Sequence, residues 1–459
     1  MTCLPKGTVL FKETLINPSC RRRPASTPLI LLDSGIRRDD EKRINQRFLK
    51  SVPFKRHWLS LVFILFLLVS GSVAADWRFD APMRVGEAPR AGLFHQLDGA
   101  GRKQVAVDAE QVAVVWSDNA GGSYQARVAF RALEGGDFGP ARQLSGGDEA
   151  YLPVVVALGG GRFLFAWEQD ERVWLRSGSA TELGEPLPLD QVESTQPALA
   201  ADDAGRVAVA WVRREDGVLR LYSAPLRLAA DGGLSVGKAV PVDKEPARRD
   251  QLYPSLALTT TGLLVGWEDR RHGHTRILTA LRPHAGGFSP PRELNYQRGG
   301  ERTVAFGAGY GVTRVALAAH GARVVAVWMD KRDYRSGYDV FAAISTDGGE
   351  TFAANEAVQD LFGANIPQWR PAVALSPQGD ALVVWDDTRD DSPDLWMSWR
   401  EPGGWSEDLA VSPAYGPGAH TAPAITFDPR GGLHLLWVSR DEAGISHLRY
   451  ARAHKAPPL

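Results

Sequence analysis

Three stretches of the chain set an acid and a base at the same distances from a tryptophan. They read Trp267-Glu268-Asp269-Arg270-Arg271, Trp328-Met329-Asp330-Lys331-Arg332 and Trp385-Asp386-Asp387-Thr388-Arg389, with Asp two and Arg four residues beyond the Trp. A guanidinium grips a carboxylate or phosphate in a forked geometry that Lys cannot copy. Arg271, Arg332 and Arg389, gathered on one rim, would hold an anionic ligand. The same residue types also serve a plainer end, in which Asp269, Asp330 and Asp387 each pair with a nearby Arg and fix a loop. Near the surface such a pair stabilises little. Segments upstream of each Trp bring Tyr253, Trp369 and Arg370 toward the same rim. Aromatic rings beside carboxylates suit sugar stacking and glycoside chemistry, where two carboxyl groups flank the bond. Glu268, Asp269, Asp330, Asp386 and Asp387 form the acidic pool, but no spacing selects a pair among them. No catalytic residue is assigned, and both an enzyme and a binding protein fit.

His272 and His274 beside Asp269 are too weakly spaced to predict a metal site. The acidic run Asp386, Asp387, Asp390, Asp391 and Asp394 offers oxygen ligands of the kind Ca²⁺ takes, without the ordered spacing of a dedicated loop. No metal and no cofactor is therefore expected. The sequence carries no phosphate-gripping glycine loop, zinc-protease helix or serine elbow.

The elements that must position these residues form a repeat. Short apolar runs end at Trp116, Trp167, Trp211, Trp267, Trp328, Trp385 and Trp437, spaced by 44 to 61 residues. Periods of this size point to propellers or solenoids. Pro153, Pro197, Pro371 and Pro423 lie fourteen residues before their Trp, and Pro254 lies thirteen before; Arg102 and Arg314 hold the fourteen-back place in two other copies. In the copy from Pro197, a first strand to Ala201 is followed by an Asp202–Gly205 turn. Further strands run over 206–212, 218–225 and 234–242. Four antiparallel strands per copy make a propeller blade, stable only when stacked on neighbours. The chain is thus predicted to be all-β, a seven-bladed β-propeller over residues 76–459, with a six-bladed sialidase-type propeller as the alternative. Residues 76–86 are expected to supply the strand that the last blade lacks, closing the ring. The repeated Trp residues are assigned to packing between blades. The Asp–Arg pair is complete in three adjacent copies only. Asp118 stands alone in the first, and Gln169, Arg213 and Ser439 hold the Asp place elsewhere. An architectural device should recur around a ring, so this three-copy sector is read as the working side.

One turn carries a family resemblance. Ser345-Thr346-Asp347-Gly348-Gly349-Glu350-Thr351-Phe352 resembles the Asp-box of the sialidase-like (BNR-repeat) propeller superfamily. Ser345, Asp347, Gly349, Thr351 and Phe352 match its pattern, with Asp347 accepting turn amides and Phe352 plugging the blade. The resemblance implies a structural hairpin on the face opposite the usual catalytic one. Sialidases of this fold also carry an arginine triad, an Asp acid/base and a Tyr nucleophile assisted by Glu. Their first arginine sits in an Arg-Ile-Pro segment, where this chain has only Pro89-Arg90-Ala91 and Gly101-Arg102-Lys103, and no Tyr–Glu pair is assigned. The resemblance therefore implies a propeller without the full catalytic set.

The first 75 residues read as a leader. Lys55, Arg56 and His57 precede an apolar run from Trp58 to Val69, and small residues follow to Ala75. That is the pattern of a signal peptide over 51–75, too short to span a bilayer comfortably. Residues 1–50 read as a disordered extension or a misplaced start. A periplasmic or secreted protein is expected, with no stable membrane span after cleavage. Both cysteines, Cys3 and Cys20, lie in the leader, so no disulfide or thiol chemistry is expected beyond it. Beyond residue 75 acidic residues outnumber basic ones, 49 to 40, which argues against nucleic-acid binding. A glycan or protein partner and a monomeric state are expected.

Overall fold

The computed structural model describes residues 77–456, apart from 99–100, 148, 230–232, 272, 274, 296–310, 333–336 and 361–365. The leader, His272 and His274 lie outside the described residues.

The chain folds into seven antiparallel sheets of four or five strands, and it is a seven-bladed β-propeller rather than a six-bladed one. The second strands of blades one to seven are Gln111–Asp118, Arg162–Gln169, Val207–Glu215, Gly262–Asp269, Arg323–Asp330, Ala381–Asp390 and Leu433–Arg440. One short 3-10 turn, Ser412–Ala414, is the only helical element among the described residues. Trp77–Phe79 and Met83–Val85 pair antiparallel with Ser446–Lys455 of blade seven, so the two ends of the described chain meet in one sheet.

Period-two alternation decides which blade each side chain meets. In blade six, Val383 and Trp385 face blade five, whereas Leu382 and Val384 face blade seven. Each of the seven apolar cores lies between two neighbouring blades and contains one repeated Trp. All seven indoles are fully buried. An aromatic of this size removes roughly 150–250 Å² from water, about 4–6 kcal/mol each as an upper bound. The core spanning blades seven and one includes Val85, Trp116 and Tyr450 and closes the ring.

Two sequence expectations change in blade three. The first strand starts at Ser194, upstream of Pro197, because a bulge lies between Thr195 and Ala198. The expected single run over 234–242 is two short strands, Leu234–Val236 and Val240–Pro241. Between them Gly237 N–H donates to Pro225 C=O at 2.8 Å, which interrupts the ladder.

Candidate functional site

The buried indoles explain the Asp–Arg pattern. An indole N–H sealed in a core needs an acceptor. Asp two residues on shares the Trp's face of the strand. It accepts at 3.0 Å for Trp267–Asp269, 2.9 Å for Trp328–Asp330 and 3.1 Å for Trp385–Asp387. A carboxylate buried there needs a cation in turn. Arg271 bonds Asp269 and Asp243; Arg332 bonds Asp330 and Asn355; Arg389 bonds Asp387 and Asp408. Arg332 lies over the Phe341 ring and Arg389 over Trp396, at 3.8 and 4.0 Å to the centroids, so both point outward over the third strands of their blades. Burial works to raise the Asp269 carboxyl, but the bonds from Arg271 and Trp267 outweigh it and hold it below its ordinary range.

The same need recurs in every blade and is met by other residues. Asp118 takes the Trp116 indole and is neutralised by Arg127 from the next strand. Gln169 serves Trp167, Asp190 serves Trp211 and bonds Arg213, and His420 serves Trp437. The incomplete ring of Asp–Arg pairs therefore has an architectural explanation and does not by itself mark a working sector. The requirement is architectural all round, and only its solution varies. Asp269 and Asp330 close their strands, with Arg271 and Arg332 in the turns just beyond, whereas Asp387 and Arg389 both lie within Ala381–Asp390.

A second set of residues surrounds the axis. Six first strands carry a bulge in which a residue with positive φ stands just before the Pro or its equivalent: Leu152, Gln196, Tyr253, Arg314, Arg370 and Ala422. Gly101 holds this place in blade one, at φ 88°. Non-glycine residues pay for this conformation with roughly 1–3 kcal/mol, and it persists only where contacts dictate it. Here the bulge turns the N–H toward the preceding blade. Arg314 N–H donates to Glu268 at 2.7 Å, Ala422 N–H to Asp386 at 3.1 Å, and Arg370 N–H to Met329 Sδ at 3.3 Å. These acceptors stand one residue beyond their Trp, on the opposite strand face. In blade three that residue is Val212, and Gln196 supplies the acceptor for Tyr253 N–H at 2.6 Å instead.

The axis is crossed by the segment leading into Val105–Val107. Lys103 accepts Val155 N–H of blade two and donates through Nζ to Leu256 C=O of blade four, at 3.1 Å. Arg102 bonds Asp98 and the Pro197 carbonyl of blade three. A Cβ on Gly101 would stand 2.6 Å from Val315 O of blade five, so only glycine fits. Burial lowers the Lys103 amine to about 8.

Beside this plug, consecutive blades four, five and six present Tyr253, Arg314 and Arg370. The Arg314 guanidinium lies 3.5 Å from the Tyr253 ring centroid and has no carboxylate partner among the described residues. Arg370 bonds Asp386 at 2.7 Å with its side chain 43% exposed. Tyr338 and Trp369 pack with centroids 5.3 Å apart, and Trp369 is exposed. Burial raises the Tyr338 phenol, with Glu268 and Asp330 adding to it. Burial also raises Glu268, against hydrogen bonds from Thr313 and Arg314, and pushes Asp386 up to about 6 against the pull of Arg370.

Of the residues singled out from sequence, the structure thus places Tyr253, Trp369 and Arg370 near the axis, and commits Arg271, Arg332 and Arg389 to their own carboxylates. Arg314, Glu168, Gln196 and Tyr338 were not selected. Glu168 and Gln196 stand in the two columns one residue after a Trp and one before a Pro, Arg314 holds the second of these places without the Pro, and Tyr338 lies in neither. In the acidic run, Asp386 and Asp387 serve Ala422, Arg370, Trp385 and Arg389; Asp394 accepts Gly416 N–H, and Asp390 accepts the Tyr415 hydroxyl. Among the described residues no three His, Cys, Asp or Glu side chains are grouped to hold a metal. In the Ser345–Phe352 turn, Asp347 accepts from the Ser345 and Thr351 hydroxyls and from Thr351 N–H. Thr259 and Thr261 of the blade-four hairpin donate to Gly348 and Asp347 carbonyls, which puts this turn on the face away from the Trp-bearing strand ends.

No family model and no curated protein matches the chain. Solved structures similar to it include a protein of unknown function from Dyadobacter fermentans, at 13% identity and TM-score 0.46 over 67% of this chain and 95% of that one. A GH93 α-L-arabinofuranosidase of Fusarium graminearum, in complex with arabinobiose, aligns at 12% and 0.44 over 66% and 91%. The polysaccharide lyase Uly1 aligns at 11% and 0.41 over 64% and 88%.

Proposed function

We propose that this propeller binds a glycan at the axial end of blades four to six. The observation that carries it is Arg314, stacked on Tyr253 and left without a carboxylate partner among the described residues. Tyr253, Tyr338 and Trp369 give flat apolar faces for sugar rings, while Arg314, Arg370 and Lys331 provide donors. A glycan array probed with the full-length chain, followed by calorimetry on the hits, tests this. Tyr253→Ala and Arg314→Gln should each weaken a hit at least about tenfold. Capture of no glycan, or of peptides alone, would sink the reading.

A second reading, a sialidase-like hydrolase, is favoured by the raised carboxyls Glu268 and Asp386, since glycoside cleavage needs one protonated acid. Against it, both already accept hydrogen bonds from the neighbouring blade. Hydrolysis of aryl glycosides, sialosides included, by the wild type but not by Glu268→Gln would establish it. The hydrogen-bonded Ser345–Phe352 turn supports membership of the Asp-box superfamily. Export to the periplasm or medium rests on the leader pattern, and cell fractionation tests it. The protein is proposed to act as a monomer without metal or cofactor, which size-exclusion chromatography and elemental analysis would check.

A further inference from the structure

The place that an Asp fills in other blades is open in the last one. Trp437 and Arg449 are cross-strand partners, as Trp116 and Arg127 are in blade one. In blade one Asp118, two residues beyond its Trp, takes Arg127 Nε at 3.2 Å. In blade seven that position is Ser439. Arg449 keeps its place without the acid. Its one partner among the described residues is His447 Nδ1, at 3.4 Å. Around it lies a cleft of about 420 Å³, lined by Pro82, Pro413, Pro417, His420, Ser439 and Arg449 among others, a size usual for small-ligand sites.

The other polar groups of the cleft are committed. Asp441 accepts His447 Nε2 at 3.1 Å and Ile445 N–H at 2.9 Å. His420 Nδ1 accepts the Trp437 indole N–H at 3.3 Å, and burial, with Arg449 beside it, disfavours its protonation. Arg449 is thus a cation whose carboxylate partner, present in blade one, has been removed and whose surroundings have not closed over the gap.

We infer that this cleft binds a small organic carboxylate, whose carboxylate group takes the position that Asp118 holds in blade one. Arg449 and the Ser439 hydroxyl donate to it, and Pro82, Pro413 and Pro417 pack against its carbon body. The site is separate from the axial one and does not depend on it.

The test is calorimetric titration of the full-length chain with glucuronate, glucose and inorganic phosphate. Glucuronate is expected to bind and glucose is not. Arg449→Gln should weaken glucuronate at least about tenfold, the loss of a charge-assisted contact. Ser439→Asp returns the acid to the protein itself. It should raise Tm by pairing with Arg449 and exclude glucuronate, whereas Ser439→Ala loses one donor but keeps the cleft open, and should weaken glucuronate less than Arg449→Gln does. Unchanged binding in Ser439→Asp overturns the inference. So does the absence of glucuronate binding at millimolar concentration, or a preference for glucose or phosphate. Tyr253→Ala should leave glucuronate binding intact; its loss there would assign the binding to the axis instead.

Discussion

Arg389 and Arg314 belong to adjacent blades and bear the same charge, yet their surroundings differ in kind. Arg389 is sealed between Asp387 and Asp408 with its side chain 4% exposed, stacked on Trp396. The Arg314 guanidinium rests on Tyr253 and makes no ion pair with a carboxylate among the described residues, Glu268 taking its backbone N–H. The first arginine exists because a buried indole needs an acid and the acid needs a counter-charge. The second has no such chain of need behind it. A charged group in a propeller is therefore informative about ligands only after the demands of the nearest buried Trp have been met.

The sharpest way to break this contrast is Asp387→Ala. It leaves the Trp385 indole without its acceptor and Arg389 with half its counter-charge inside the fold. A loss of about 3–5 kcal/mol in urea unfolding is expected. A loss below about 1 kcal/mol would mean the rim pair is not structural.

Asp386 offers a pH test of the axial side. Its carboxyl stands at about 6 in the folded protein, above the value near 4 of an unfolded chain. Folding therefore favours its protonated form. Its contribution is full below about pH 4 and is lost as pH rises through 6, by up to about 3 kcal/mol. Asp386→Asn should flatten the fall in stability over that window, measured by denaturation at a series of pH values. An unchanged slope would count against a raised carboxyl.

Arg314→Ala should be the inverse of Asp387→Ala. Stability should move by less than about 1 kcal/mol, as for a side chain without a buried partner, while binding of the glycan hit falls at least about tenfold. If stability falls as far as in the rim variant, the two regions are not different in kind. The smallest effect belongs to Asp347→Ala in the Ser345–Phe352 turn. Burial works to raise that carboxyl, but the Thr351 and Ser345 hydrogen bonds together outweigh it and hold it at about 2. An exposed turn of this sort should lose about 1 kcal/mol in thermal unfolding, with glycan binding unchanged.

Much of the fold was readable in advance because the signal is local and repeated. Apolar alternation ending in Trp recurs wherever an indole is packed between two blades, and seven such runs count seven interfaces. The candidate site was readable only in part. Tyr253, Trp369 and Arg370 stand beside Pro residues of the repeat and drew notice as aromatic and basic groups. Arg314 and Glu268 did not stand out together, because their bond joins residues 46 apart across a blade boundary.

The sequence by itself determined the ring, since blade length, strand alternation and the buried Trp column are properties of short segments. Tertiary structure alone decided what the charges are for. Whether an arginine is consumed or available depends on which carboxylate the neighbouring strand or blade sets beside it. The Trp267-to-Arg271, Trp328-to-Arg332 and Trp385-to-Arg389 stretches fitted either a shared anion grip or three local pairs, and each Asp caps its own indole. The unmatched arginines, Arg314 at the axis and Arg449 in the last blade, become visible only once the blades are closed into a ring and each buried donor has been given its acceptor.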